Sequence, residues 1–147
     1  MNRLALALAF FTLPLPASAA LSPAEQKMAA TVEAEYERHV ALLERLVAQN
    51  SGSLNLEGVT RVGEMMRAEL EPLGFVVRWV PMAEVGRAGH IVATHKGNGR
   101  GKRMLLIGHL DTVFEKDSPF QAYKRDGDTA EGPGVGDDKG GMVVMLA

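Results

Sequence analysis

Two short stretches of this 147-residue chain carry residue types able to do chemistry: GHLDTVF (residues 108–114) and GPGVGDDKGG (residues 132–141). In the first, His109 and Asp111 stand two apart at the end of an apolar run. Successive side chains of a strand alternate, so in a strand both project to the same side, about 7 Å apart along the chain. A carboxylate beside an imidazole takes up one ring N–H, fixes the tautomer and leaves the other nitrogen free for a metal. Ligands in open α/β sheets also collect beyond the carboxyl ends of strands, where this pair would lie. On its own, H-x-D reads equally well as a polar strand end. His39, His90 and His95 have no carboxylate in a comparable setting and read as surface or structural residues.

The second stretch sets Asp137 beside Asp138 after three glycines and a proline. A phosphate cradle is one reading of so much glycine, but the order G-x-x-x-x-G-K-[ST] is absent. Two carboxylates would also repel a phosphate. A calcium loop needs alternating acids and a closing Glu, and neither is present. The chain has no cysteine, so any metal must be held by His and carboxylates. A divalent metal bound by His109 and Asp137 accounts for both stretches at once.

In this order and spacing, H-x-D-T-V followed by G-x-G-x-x-D-D-K-G-G resembles the zinc-dependent aminoacylase and glutamate carboxypeptidase family. Its relatives include acetylornithine deacetylase and succinyl-diaminopimelate desuccinylase. The likeness runs through a leading helix, LEPLGF, LLIGHLDTVF, a hairpin and the glycine–acid stretch. The D-D-K-G-G form and an export signal lean toward the glutamate carboxypeptidase branch. The resemblance implies that His109 is a ligand of one zinc and that Asp111 orients His109 and supports catalysis. It implies that Asp137 bridges two zinc ions, that the Asp137–Asp138 peptide bond is cis, that Asp138 is not a ligand and that Lys139 is a structural partner.

The implied cofactor is two Zn2+ per full-length subunit, and Co2+ or Mn2+ would suit the same donors. The implied reaction is hydrolysis of an amide bond in a small peptide or N-acyl amino acid by metal-activated water. The family's general base, a Glu, and its remaining ligands have no counterpart assignable in this chain, so the 147 residues alone are expected to be inactive. The alternative readings are a non-catalytic fragment or pseudoenzyme, and a deacetylase or desuccinylase of the same family. Export argues against the last, whose substrates are cytoplasmic. A homodimer in the full-length protein is compatible with the resemblance.

The elements that must position these residues are legible in outline. Residues 1–19 read as a secretory signal peptide, with Arg3 at the charged end, an apolar run over 4–13 and an Ala17-Ser18-Ala19 cleavage site. The mature protein is then expected to be secreted, periplasmic in a Gram-negative source, and without a stable membrane anchor. Hydrophobic content of 46% suffices for a core, and a formal net charge of -2 argues against a nucleic-acid partner. Ser22, Pro23 and Glu25 open a helix, and Met28, Val32, Tyr36, Val40, Leu43 and Val47 continue it as one long amphipathic segment. A second helix buries Val59, Val62, Met66, Leu70 and Leu73, and Pro72 and Gly74 close it.

Residues 75–80 and 90–95 read as strands, residues 96–103 as a solvated connection, and residues 104–110 as a central strand covered on both faces. A hairpin turning at Asp126-Gly127 follows, and GGMVVMLA begins a buried helix or strand. The expected fold class is α/β: a mixed, mostly parallel sheet flanked by helices. Residues 20–147 are expected to be the amino-terminal part of a zinc exopeptidase-like catalytic domain, because the sequence stops within an apolar run.

Overall fold

The structure, a computed structural model, describes residues 20–147. The expected signal segment, residues 1–19, lies outside the described residues.

Helix α1 (Pro23–Ala34) opens on the expected capping box. Ser22 N–H donates to Glu25 Oε2 at 2.7 Å, and Glu25 N–H donates to Ser22 Oγ at 3.4 Å. The single long helix is interrupted at Glu35 (φ -99°, ψ 5°), and α2 (Tyr36–Ala48) begins after it. The reason lies in packing. No residue of α1 is buried, and Met28 and Val32 are exposed despite their helical spacing. The buried face starts at His39 and continues through Leu42, Leu46 and Val47.

Helix α3 (Leu56–Leu70) is capped by Asn55, whose side-chain oxygen accepts from Gly58 N–H at 3.1 Å. Val59, Val62 and Met66 are buried as expected. Leu70 is half-buried, and Leu73 falls in a 3-10 turn (Glu71–Leu73), where it is exposed. The chain then forms an antiparallel pair, β1 (Val76–Met82) with β2 (Arg87–Thr94), in register from Val76 opposite Thr94 to Pro81 opposite Gly89. The expected hairpin is present as β3 (Lys124–Asp126) with β4 (Thr129–Glu131), closing at Asp126 opposite Thr129. GGMVVMLA resolves as helix: α4 is Lys139–Leu146.

The mostly parallel sheet is not observed. The described strands form two antiparallel pairs, and the parallel pairing found among the described residues is an isolated bridge between Gly52 and Thr112. Residues 104–110, expected as a central strand, take no strand conformation. Met104, Leu105, Leu106 and Ile107 are all exposed, and Leu110 alone of this run enters the core. An apolar run becomes a strand only when a neighbour supplies the other half of the ladder. Among the described residues, no segment makes backbone-to-backbone hydrogen bonds with 104–110. The result is a mixed helix-and-strand unit.

The core joins α2, α3 and α4 around Leu110. Leu42, Leu46, Val59, Val62, Met66, Leu110, Met142 and Val143 form it, with Trp79 and Ile91 packed against it from the β1–β2 pair. No described helix is long and apolar enough to cross a membrane.

Candidate metal centre

The segment carrying His109 and Asp111 is held in place by the loop between α2 and α3. Thr112 N–H donates to Ser51 O at 2.8 Å, and Ser53 N–H donates to Thr112 O at 3.0 Å. Asn50 ties the same two segments through its side chain, donating to Phe114 O at 2.9 Å and Gln121 Oε1 at 2.8 Å. Its Oδ1 accepts from Gly52 N–H at 3.2 Å and from Asn55 Nδ2 at 2.8 Å. Leu110 and Thr112 are buried, whereas His109 and Asp111 are not. The alternation expected of an extended segment therefore survives without a sheet, and it turns the two chemical side chains to one side.

His109 makes contacts through both ring nitrogens. Nδ1 lies 2.9 Å from the backbone oxygen of Asp111. Nε2 lies 2.8 Å from Asp137 Oδ1. Carbonyl and carboxylate oxygens only accept, so both contacts are made in full by the protonated ring, which donates from each nitrogen. The Asp111 carboxylate stands slightly farther off, its Oδ1 3.3 Å from Nδ1. The expected orienting role of Asp111 is thus shared between its carbonyl and its carboxylate. Burial alone would push the imidazole pKa down. The hydrogen bond to Asp137, the bond to the Asp111 carbonyl and the two carboxylate charges outweigh it, and His109 is raised above its ordinary value.

The glycine–acid stretch brings Asp137 to this histidine. Gly134 takes φ 82°, a left-handed conformation open to glycine at little cost, and its carbonyl accepts from Lys139 N–H at 2.8 Å. The Asp137–Asp138 peptide bond is cis, as the resemblance implies. The two acids then diverge. Asp137 points outward, with its side chain 86% exposed. Asp138 turns back, and its Oδ2 accepts from the backbone N–H of His109 at 3.3 Å. Gly141, in the first turn of α4, leaves room for that carboxylate: a Cβ there would overlap Asp138 Oδ1 and come within 3.0 Å of Cγ. Lys139 is wholly buried and donates from Nζ to Gln49 O at 2.8 Å. Burial pushes its pKa down to about 8. That placement suits a structural role, joining α4 to the end of α2.

The donors suit zinc in kind, an imidazole nitrogen and a carboxylate oxygen side by side at 2.8 Å. In number they fall short, because no group of three or more His, Cys, Asp or Glu side chains converges among the described residues. Zinc is almost always four-coordinate in closed protein sites.

Some of the positioning residues escaped the sequence reading. Ser53 Oγ donates to Asp111 Oδ2, and this pair is 58 residues apart with no local signal. Asn50 and Asp138 are similar cases. Asn55 escaped it too, although an Asn just ahead of an apolar periodic run is a signal that could have marked the cap.

Comparison with known sequences supports a glutamate carboxypeptidase-like family for the chain. No protein-family model matches it. The support comes from carboxypeptidase G2 of Pseudomonas sp. (strain RS-16), to which the chain is 41% identical over 108 residues. That alignment takes in 73% of the chain and 26% of the relative, so the chain spans about a quarter of that relative's length.

Proposed function

We propose that this chain supplies part of the dizinc centre of a glutamate carboxypeptidase-like hydrolase, which cleaves an amide bond in small peptides or N-acyl amino acids, preferably ahead of a glutamate. The observation that carries this reading is the approach of His109 Nε2 to Asp137 Oδ1, 2.8 Å, with Nδ1 already committed to Asp111. Bound zinc would supply Lewis acidity toward water and the amide carbonyl. His109 would present the Nε2 lone pair to it, and Asp137 would offer two carboxylate oxygens on an exposed side chain, the form a bridging ligand requires. With a metal bound, Asp111 would hold the proton on Nδ1 and leave Nε2 to the metal. The general base and remaining ligands belong, on this reading, to the part of the relative that the alignment does not cover. Export through residues 1–19, the absence of a nucleic-acid partner and a homodimeric full-length protein complete the proposal.

A second reading, a non-catalytic binding module, is favoured by the lack of a third converging ligand among the described residues. Reading the coding sequence past Ala147 separates the two: a Glu-Glu pair and a distal His favour the enzyme, and an immediate stop codon favours the module. The gene product is then assayed for release of glutamate from N-acyl-glutamate and dipeptide substrates. Activity abolished by a chelator and by His109→Ala is expected, and activity indifferent to metal removal overturns the zinc mechanism. The 147-residue chain alone is expected neither to retain two zinc ions through desalting nor to turn over substrate.

A further inference from the structure

The Asp111 carboxylate is the hinge of the site. One of its oxygens faces His109 Nδ1 at 3.3 Å, and the other accepts from Ser53 Oγ. Among the described residues, Ser53 is the one hydroxyl donor on that carboxylate. Ser53 is itself held: its backbone N–H donates to Thr112 O at 3.0 Å, and its loop is tied down by Asn50 and Asn55. The Asp111 side chain is 37% exposed, so without Ser53 it has open solvent to rotate into.

We propose that Ser53 is a positioning residue of the metal centre: its hydroxyl fixes the Asp111 carboxylate, which with the Asp111 carbonyl fixes the orientation of the His109 ring that directs Nε2 at Asp137. The inference rests on the zinc reading for its functional meaning, but the ring orientation it explains belongs to the chain without metal. Outer partners of this kind typically change metal affinity by about 10–100-fold when removed. The Ser53 hydroxyl bonds to Asp111 and Thr112 and to neither His109 nor Asp137, so its effect passes through Asp111.

The test uses the isotope-labelled chain and the nuclear Overhauser contacts of the His109 ring protons, recorded without metal at one fixed pH. The wild type is expected to show a single ring orientation. Ser53→Ala is expected to show averaged ring contacts, and Ser53→Thr, which keeps the hydroxyl, is expected to restore the wild-type set. Zinc is then titrated into the gene product that carries the remaining ligands, where Ser53→Ala should need about 10–100 times more zinc for the same occupancy. Thermal unfolding of all three chains separates a general loss of fold from a local change, and rescue by Ser53→Thr rules out the former. Unchanged ring contacts in Ser53→Ala overturn the proposal whatever the zinc titration shows. The zinc reading stands or falls on the chelator assay of the gene product, and if it falls there the metal-free spectra still decide the role of Ser53.

Discussion

Replacing Gly141 by alanine should separate the stability of the fold from the geometry of the site. Alanine is favoured over glycine inside a helix by about 0.8–1.0 kcal/mol, and Gly141 lies in the first turn of α4. Against that gain, the new Cβ would overlap Asp138 Oδ1 and stand 3.0 Å from Cγ. The obstructing atoms are the end of a short side chain and not backbone, so the carboxylate can swing away. What it gives up is the bond from the His109 N–H, 3.3 Å long. Hydrogen bonds to charged groups contribute about 1.5–3 kcal/mol; this one is long and partly exposed, so about 1 kcal/mol is the reasonable figure.

The two terms nearly cancel, and Gly141→Ala should unfold within about 1 kcal/mol of the wild type by denaturant titration. At the same time the His109 amide loses its acceptor. Its 1H–15N signal should move, its hydrogen exchange should accelerate, and the His109 ring signals should shift with it. Superimposable His109 signals in the two proteins would refute the link from α4 to the histidine. A loss above about 3 kcal/mol would show that Asp138 cannot yield, and the cancellation would be wrong.

Asn55→Ala removes the cap of α3 and both donations from Asn55 Nδ2 to Asn50, at 3.1 and 2.8 Å. The expected cost is about 1–3 kcal/mol in the denaturant midpoint; a change below about 0.5 kcal/mol would mean that the network is not holding the loop. Glu37 is clamped by Arg125 at 2.8 and 3.0 Å, which pins the β3–β4 hairpin to α2. That hydrogen bond holds the Glu37 carboxyl below its ordinary value of 4.5. The contribution of the pair is therefore complete above pH 4.5 and is lost as pH falls through the lower folded value. An NMR titration of Glu37 should show the depressed value in the wild type and the ordinary range in Arg125→Gln; equal values in the two would remove the clamp from the account.

The features readable from the residues alone are local. The capping box at Ser22, the α3 face of Val59, Val62 and Met66, the hairpin at Asp126-Gly127 and the paired motifs around His109 and Asp137 depend on neighbours a few residues away. Short-range hydrogen bonds and side-chain periodicity suffice to specify them. Tertiary structure decided the rest. Apolar residues at helical spacing did not keep α1 and α2 as one helix, because the first half has nothing to pack against. The apolar run at 104–107 is not a strand here, because pairing is a property of two segments and a single sequence window shows one of them. The family resemblance implied different roles for the two acids, but the partner of each was out of reach. That Asp137 faces His109 Nε2 while Asp138 turns to the His109 backbone, and that Ser53 reaches Asp111 across 58 residues, follows from how α4 and the α2–α3 loop are packed around Leu110. Contacts over such separations are set by the core, which brings together what the chain order keeps apart.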